Sequence, residues 1–361
     1  MSGYAGKRIV VAMSGGVDSS VTAALLKEQG AEVIGMTMQI WDYSAYAENH
    51  PDACGSCCSP DDVHDARRVA EGLAIPFYVV NFEDAFQREV IDRFRADYLA
   101  GRTPNPCVLC NQILKFELLL RRARELNADY LATGHYARID GEGDRLALRR
   151  GLDENKDQSY FLFPMTREQL PLVLFPLGTM TKAEVRTHAV RCGLRVAEKA
   201  ESQDICFVPD GDYVRFLEEH EDLSHLGGDI VHVDGTIVGR HNGFYRYTIG
   251  QRKGLGISWR EPLHVIGIDA ARCRVIVGER RYLDTMACTV DRVNWLIDVP
   301  QKTLSCTCQI RYRHAGVEAE LIPLDDGKVK VHFAVAQQGV TPGQAAVFYA
   351  DDRVLGGGWI A

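Results

Sequence analysis

The chain lacks the features that would place it in a membrane or make it broadly basic. None of its apolar runs is long enough to cross a bilayer, and residues 1–8 lack the apolar core of a secretory signal peptide. We therefore expect a cytoplasmic protein with no membrane partner. The 41 Lys and Arg residues are outnumbered by 49 Asp and Glu, for a net charge of −8. This balance weakens the case for a nucleic-acid partner but leaves room for a local basic patch.

The glycine loop near the N-terminus lacks the lysine of a Walker A motif and the spacing of a dinucleotide fingerprint. It reads SGGVDSS at 14–20, between an apolar run at 9–13 and a helix-like stretch at 20–29. Backbone N–H groups at such a strand–turn–helix junction bind phosphate, and Asp18 can hold Mg²⁺. A plain glycine turn is the simpler interpretation, but the context favours phosphate binding. The loop resembles that of N-type ATP pyrophosphatases, which split ATP between its α and β phosphates.

Cysteine, in contrast, is abundant, with 11 residues in a chain expected to be cytosolic. Metal or sulfur chemistry is then more plausible than a disulfide framework. Cys110 follows a proline-rigidified loop and is predicted at the entrance of a helix, where the dipole lowers a thiol pKa. Cys206 alone is typical of a core thiol, but two cysteines together can carry and release sulfur as a persulfide. The Cys107–Cys110 spacing also suits half of a zinc site, with Cys54, Cys57 and Cys58 as the other half.

The order of elements predicts an α/β domain followed by two smaller β domains. Strand-like and helix-like segments alternate over the first two hundred residues, which indicates a parallel sheet covered on both faces. After about Pro209 the pattern becomes short and strand-like. We predict an ATP pyrophosphatase domain at 1–209, a central, mostly-β domain at 210–284 and a C-terminal β-barrel at 285–361. The predicted helices include 62–73, 85–99 and 112–126, and the predicted strands include 33–40, 76–82 and 130–133.

Several polar segments have weaker individual signals. Gly134 follows a strand, where a glycine lets a nucleotide approach the backbone, whereas His135 alone is typical of a structural histidine. The run at 155–159 is a dense polar loop of a kind that is usually just solvated. Basic and aromatic residues at 248–256 and 311–314 suit phosphate contacts and base stacking, although an ordinary hairpin explains them equally simply.

Taken in order, the motifs resemble those of the tRNA-specific 2-thiouridylases over nearly the whole chain. They are SGGVDSS (14–20), GRTPNPCVLCN (101–111), ATGHYAR (132–138), GLDENKDQSYFL (151–162), SQDICF (202–207), TIGQRKGLGI (248–257), IRYRH (310–314) and TPGQAAVFY (341–349). The resemblance implies that ATP adenylates the C2 oxygen of wobble uridine 34 in tRNAs for Lys, Glu and Gln. Sulfur then displaces AMP. It also implies a sulfur donor protein, either a cysteine desulfurase or a sulfur-relay protein.

The resemblance further implies residue roles. Cys110 is the nucleophile and Cys206 takes part as a persulfide. Residues expected to bind ATP are Ala12, Met13, Ser14, Gly15, Gly16, Val17, Asp18, Ser19, Met38 and Gly134. Residues expected to contact tRNA are Asn105, Pro106, Cys107, Lys156, Asp157, Gln158, Arg311 and Tyr312, the first three of them at the target base.

Two questions stay open at this stage. Many family members have Asp where this chain has Cys107, so that thiol either transfers a proton or is a ligand. Cys107, Cys110 and Cys206 would then hold three irons of a 4Fe–4S cluster as the alternative to a persulfide. For function, the competing hypotheses are an argininosuccinate-synthetase-like ligase acting on a small molecule and a non-catalytic tRNA-binding module. Activity that survives loss of Cys110 and Cys206 would favour the ligase.

Overall fold

The computed structural model describes residues 3–41, 60–199, 205–208 and 211–361. The Cys54, Cys57 and Cys58 group, and with it the zinc hypothesis, lies outside these residues. The chain forms two compact units. The first comprises 1–91, 106–211 and 352–354, and the second comprises 92–105, 212–351 and 355–361. Within the described ranges, no helix is both long and apolar enough to cross a membrane.

The first unit is built on a five-stranded sheet whose paired strands are all parallel. Its strands are β1 (Arg8–Ala12), β2 (Glu32–Gln39), β3 (Phe77–Asn81), β4 (Tyr130–Ala132) and β7 (Val173–Leu174), in the order β3-β2-β1-β4-β7. The apolar run that predicted β1 is the centre of the core, because Ile9, Val10 and Val11 are fully buried. The order reverses on either side of β1, and ligands of open α/β sheets bind beyond the carboxyl ends of strands at such a point.

Helices and a hairpin complete this unit. The helices are α1 (Val17–Glu28), α2 (Pro60–Gly72), α3 (Glu83–Phe86), α5 (Pro106–Leu109), α6 (Leu120–Glu125) and α7 (Lys182–Arg191), with π-helical turns at Gln87–Ile91 and Cys110–Leu119. β5 (Ala137–Asp140) and β6 (Ala147–Arg150) pair as an antiparallel hairpin. Dihedral angles stay helical through Leu109 and Leu120, so α5, the π-helical turns and α6 follow one another without a break.

The second unit contains α4 (Asp92–Leu99), α8 (Tyr213–His220) and two sheets. One sheet has the order β10-β11-β8-β9, from β8 (Gly228–His232), β9 (Ile237–His241), β10 (Leu263–Asp269) and β11 (Arg274–Glu279). The other is a six-stranded barrel closed by pairing of its first and last strands. Its strands are β12 (Thr285–Trp295), β13 (Leu304–Gln309), β14 (Val317–Pro323), β15 (Val329–Gln337), β16 (Ala345–Ala350) and β17 (Arg353–Ile360). The predicted fold class is confirmed.

A cluster of the buried His232 with Asp234 and Glu279 in the second unit predicts a pH-dependent stability. His232 Nδ1 lies 3.0 Å from Asp234 Oδ1, and its Nε2 lies 3.3 Å from Glu279 Oε2. Burial lowers the pKa of His232, but Asp234 and Glu279 outweigh burial and the net shift is upward. A raised folded-state pKa contributes stability that is fully present below the unfolded pKa of about 6.5 and is lost as pH rises through the folded pKa.

We therefore expect His232→Asn to lower the melting temperature more at pH 5.5 than at pH 8.5, relative to the unchanged protein. Thermal unfolding followed by circular dichroism at both pH values measures this difference. A loss of equal size at the two pH values would show that His232 contributes through packing alone, for example through its contact with the Trp259 ring 5.0 Å away.

Candidate functional site

The phosphate loop joins β1 to α1 in the way the sequence predicts. Gly15 has a φ of +74°, which favours glycine, and Gly16 is the N-cap of α1. The N-cap residue is a glycine, so it has no side chain that could accept hydrogen bonds from the first N–H groups of the helix. N–H groups and a helix dipole at such a position favour an anion, and phosphate binding at this end of β1 stays a prediction.

The three serines of the loop divide into two roles. Ser14 is exposed, whereas Ser19 and Ser20 are buried. Ser19 Oγ accepts a hydrogen bond from Ser14 N (3.1 Å) and donates one to the Gly16 carbonyl (3.2 Å), and Ser20 Oγ donates to the same carbonyl (2.8 Å). The two buried hydroxyls therefore hold the loop in shape, and the hydroxyl of the exposed Ser14 lies 3.4 Å from Ser19 Oγ.

Asp18 is the charged centre of the site. Lys182 Nζ donates to both of its carboxylate oxygens, at 2.8 and 2.9 Å, and Tyr136 Oη donates to Oδ1 at 2.8 Å. Lys182 was not predicted from the sequence. It is the first residue of α7, whose start is fixed by a capping box between Thr181 and Glu184. That capping box was visible in the sequence, but the ion pair between residues 164 positions apart was not.

Gly134 packs against the first turn of α1, next to the phosphate loop. A Cβ atom there would lie 2.8 Å from Ser19 N and 2.9 Å from the Asp18 carbonyl carbon, so the first turn of α1 fills the space where a side chain would be. The glycine is thus required for packing. The direct nucleotide contact expected of Gly134 stays a prediction.

We expect Gly134→Ala to destabilise the protein by about 1–3 kcal/mol, because the new methyl must push the first turn of α1 out of place. Gly72→Ala is the matched control, since a Cβ there meets nothing within 4 Å and its φ is not positive. Chemical unfolding of both variants measures the difference. Equal stability of the two would show that the close approach at Gly134 relaxes without cost.

His135 is buried and neutral. Thr133 Oγ1 lies 2.7 Å from its Nδ1, and Lys115 Nζ lies 3.4 Å from its Nε2. Burial, reinforced by the Lys115 charge, holds the pKa of His135 well below its usual value. These partners agree with the structural histidine that the sequence favoured. Met38, the expected adenine contact, lies near the carboxyl end of β2 and is 8% exposed.

The helix that carries the cysteines begins earlier than predicted. It starts at Pro106 rather than at Gln112. Proline is favoured at the first position of a helix, because the N–H that it lacks has no partner within the helix there. Cys107 is therefore in the first turn and exposed, whereas Cys110 lies one turn further in and is half-buried. The prediction that Cys110 lies at the helix entrance was wrong by one turn. Asn111 Nδ2 donates to the Phe161 carbonyl (3.3 Å) and fixes this part of the helix.

The loop that precedes this helix is held within the second unit. Gln344 Nε2 donates to the carbonyls of Thr103 (3.0 Å) and Pro104 (3.1 Å), and Thr103 N donates to the Pro342 carbonyl (2.9 Å). Asn105 is the last residue of that unit before the chain enters the first unit at Pro106. The TPGQ turn therefore holds the two residues that precede Asn105, the first residue expected to meet the target base.

Cys206 lies in the described segment 205–208 and is half-buried. Its neighbour Phe207 is 1% exposed and packs edge-on against Phe86 and Trp41, with ring centroids 5.7 and 6.4 Å apart. This aromatic cluster anchors the segment in the first unit. The anchor leaves the adjacent cysteine at the boundary between core and solvent, which suits a thiol that must be reached.

The 156–158 segment is more structural than predicted. Asp157 is buried, and its two oxygens accept four hydrogen bonds, including 2.9 Å from Arg150 Nη1 and 2.9 Å from Ser159 Oγ. Gln158 exchanges backbone and side-chain hydrogen bonds with the Tyr136 backbone. The carboxylate of Asp157 is thus committed to internal partners and organises the loop. The expected tRNA contacts of Lys156, Asp157 and Gln158 stay predictions.

Arg311 lines a cleft of about 550 Å³ in the second unit. Its Nη1 donates to the Gln338 carbonyl (3.1 Å), and the neighbouring Tyr312 carbonyl accepts from Gln309 Nε2 (2.7 Å). The cleft is also lined by Arg280, which sequence reasoning missed, and by Gly250 from the TIGQRKGLG motif. A basic cleft inside an acidic chain is the local patch that a net charge of −8 does not reveal.

Three family models match the chain. They are a tRNA methyl transferase HUP domain at residues 7–210, a tRNA methyl transferase PRC-barrel domain at 214–279 and an aminomethyltransferase beta-barrel domain at 285–360. Among curated proteins, the tRNA-specific 2-thiouridylase MnmA of Geobacter metallireducens is 60% identical over 100% of this chain and 98% of its own length. That of Geotalea uraniireducens is 58% identical over 98% of this chain and 95% of its own.

Among solved structures, a 4-thiouridine synthetase in complex with RNA and bound ATP aligns with a TM-score of 0.39. It is 17% identical and covers 59% of this chain and 50% of the synthetase. These values are too low to support an argument from that structure. The curated relatives match over almost their entire length.

Proposed function

The chain belongs to the family of tRNA-specific 2-thiouridylases, and from this premise we propose how it inserts sulfur into tRNA. The observation that carries the proposal is that the first unit contains both parts the reaction needs. It holds an ATP-type phosphate loop at the switch point of the sheet and the two segments that bear Cys110 and Cys206. An argininosuccinate-synthetase-like ligase is not favoured, because relatives 58–60% identical over the full chain are 2-thiouridylases.

In the first step, the C2 oxygen of wobble uridine 34, in tRNAs for Lys, Glu and Gln, attacks the α-phosphorus of ATP. The bond to the β-phosphate oxygen breaks and pyrophosphate leaves. Lys182 and the N-terminus of α1 stabilise the negative charge that moves onto the leaving pyrophosphate. The adenylated oxygen is now a good leaving group, which the carbonyl oxygen of uridine is not.

In the second step, the terminal sulfur of a Cys206 persulfide attacks C2, and AMP leaves with the former carbonyl oxygen. The Cys110 thiolate then attacks Cys206 Sγ and breaks the sulfur–sulfur bond, so that the outer sulfur stays on the uridine. The two cysteines end as a disulfide, which a dithiol reductant must reduce before the next turnover. The persulfide comes from a sulfur donor protein, a cysteine desulfurase or a sulfur-relay protein.

A 4Fe–4S cluster fits the described residues less well. Across the part of the chain that the structure describes, no group of three or more His, Cys, Asp or Glu side chains is placed to hold a metal ion. Cys107, Cys110 and Cys206 thus form no ready set of three ligands, and we derive no step through a cluster. For Cys107, which is exposed in the first helical turn, we propose proton transfer at the target base.

Mg²⁺ fits Asp18, whose side chain is about one-third exposed beside the phosphate loop. The ion would neutralise phosphate charge there, and Asp18 and the ATP phosphates would be its ligands. Asp18 also orients Lys182, so the carboxylate has a role whether or not the ion is bound. Because tRNA is the substrate, we place the reaction in the cytoplasm.

The deciding experiment is mass spectrometry of nucleosides from tRNA incubated with the protein, ATP and a sulfur source. Transcripts for Lys, Glu and Gln should gain 2-thiouridine, and transcripts with cytidine at position 34 should not. The assay is run with a persulfide-loaded donor protein and, separately, with free sulfide. Absence of 2-thiouridine under both supplies would overturn the proposal, whereas thiolation from sulfide alone with iron in the protein would restore the cluster.

A further inference from the structure

Lys199 is a charged residue next to the phosphate loop that the mechanism above does not use. Its Nζ lies 2.6 Å from Asp62 Oδ1, 2.6 Å from Asp65 Oδ2 and 3.3 Å from the Gly15 carbonyl oxygen. Asp62 and Asp65 belong to the first turns of α2, and Lys199 follows the short helical turn Arg195–Glu198. One ammonium group thus joins three parts of the first unit.

Helix α2 packs directly on the phosphate loop. A Cβ atom on Gly15 would lie only 2.2 Å from the Asp62 carbonyl oxygen. Two carboxylates are therefore held beside the loop, within hydrogen-bond reach of the ammonium that also touches Gly15. Left uncompensated, these two negative charges would repel a polyphosphate bound there.

The contact with Gly15 has a directional consequence. In a trans peptide the C=O of one residue and the N–H of the next point in opposite directions. Because Lys199 binds the Gly15 carbonyl, the N–H of Gly16 points away from Lys199. That N–H is one of the groups expected to meet phosphate at the start of α1.

We propose that Lys199 positions ATP in two ways: its ammonium group offsets part of the negative charge of Asp62 and Asp65, and its hydrogen bond to Gly15 aims the Gly16 N–H at the phosphates. Lys199 is a positioning residue, since it acts through the loop rather than on the reacting atoms. The inference rests on the proposed function only in taking ATP as the ligand of the loop. Its test is therefore direct binding, which needs neither tRNA nor sulfur.

The first test is Lys199→Met, with the affinity for α,β-methylene-ATP measured by calorimetry. We expect the dissociation constant to rise by roughly 10- to 100-fold, because the ammonium group that binds both carboxylates beside the loop is then lost. The rise should shrink as ionic strength increases, which a purely structural defect would not do. Arg68→Met is the matched control, since Arg68 approaches the same Asp65 at 3.8 Å from the exposed side of α2. It should leave the affinity unchanged.

The second test removes the carboxylates. Asp62→Asn with Asp65→Asn in the Lys199→Met background should recover most of the lost affinity. The same pair with Lys199 retained should bind the analogue at least as tightly as the unchanged protein. Unaltered binding in Lys199→Met, or no recovery in the triple variant, would overturn the charge-compensation role. If Lys199→Met does not fold, the test is the Asp62→Asn and Asp65→Asn double variant with Lys199 retained. Weaker binding of the analogue by this variant than by the unchanged protein would overturn the charge-compensation role.

The two proposals fail separately. Protein that binds the analogue as expected but forms no 2-thiouridine contradicts the proposed function and leaves the role of Lys199 intact. Protein that thiolates tRNA while Lys199→Met binds ATP normally contradicts only the role of Lys199.

Discussion

Replacing Cys110 with serine should abolish 2-thiouridine formation, by roughly 10³-fold or more, because a hydroxyl cannot take the place of the thiolate that releases sulfur. The adenylation step does not use this thiol. We therefore expect tRNA-dependent exchange of pyrophosphate into ATP to continue at a rate within a few-fold of the unchanged protein. The pair of assays, nucleoside mass spectrometry and pyrophosphate exchange, separates the sulfur step from the activation step.

Cys192→Ser is the matched control for this variant. Cys192 is a half-buried thiol at the end of α7, and its Sγ lies 3.6 Å from Glu28 Oε1. Burial, together with the Glu28 charge, raises its pKa, so it is a poor nucleophile at neutral pH. Cys192→Ser should leave both assays unchanged. Full thiolation by Cys110→Ser, or loss of pyrophosphate exchange along with thiolation, would contradict the assigned role.

Replacing Asp18 with asparagine should slow adenylation by roughly 10²- to 10⁴-fold. In the unchanged protein, the Lys182 ammonium donates to both Asp18 oxygens, and the Lys182 side chain is only 12% exposed. The neutral amide of asparagine cannot balance this positive charge. It is also a weaker Mg²⁺ ligand than a carboxylate. The unbalanced Lys182 charge and the weaker Mg²⁺ ligand both affect how the leaving pyrophosphate is stabilised. We therefore expect the turnover rate to fall more than the affinity of the protein for tRNA.

Glu28→Gln is the control for Asp18→Asn. Glu28 lies at the opposite end of α1 and pairs with Arg191 on the surface at 2.6 Å. Loss of a surface ion pair of this kind changes little. Pyrophosphate exchange at saturating tRNA measures both variants. Equal exchange rates in Asp18→Asn and Glu28→Gln would show that the carboxylate has no part in activation.

Features with a local cause were predictable from the sequence. The β1 strand, the phosphate loop and the presence of α1 follow from an apolar run, two glycines and the residues around them, although α1 begins at Val17, three residues before the predicted start at Ser20. The closed barrel follows from the short, evenly spaced strands after residue 285. Even the early helix start at Pro106 had a local signal, because proline is favoured in the first turn of a helix.

Features that depend on distant partners were not predictable. Lys182 reaches Asp18 across 164 positions and Lys199 reaches Asp62 across 137, and neither lysine differs locally from a solvated one. Asp157 looked like part of a solvated charge run, but it is buried because Arg150 and backbone N–H groups surround it. The sequence pattern shows that such a residue is polar, but it does not identify the residues that it contacts in the fold.

The assignment of residues 92–105 has a practical consequence for dividing this enzyme into modules. By sequence they belong to the ATP-binding portion, yet their aromatic side chains pack within the second unit, Phe94 on Phe216 and Tyr98 stacked on Tyr213 at 4.4 Å. A fragment that ends near residue 211 would keep this segment but lose the Tyr213 and Phe216 rings that it packs against. Excision at the obvious sequence boundary should therefore give an insoluble fragment, and the loop that leads to Cys107 and Cys110 would lose its support.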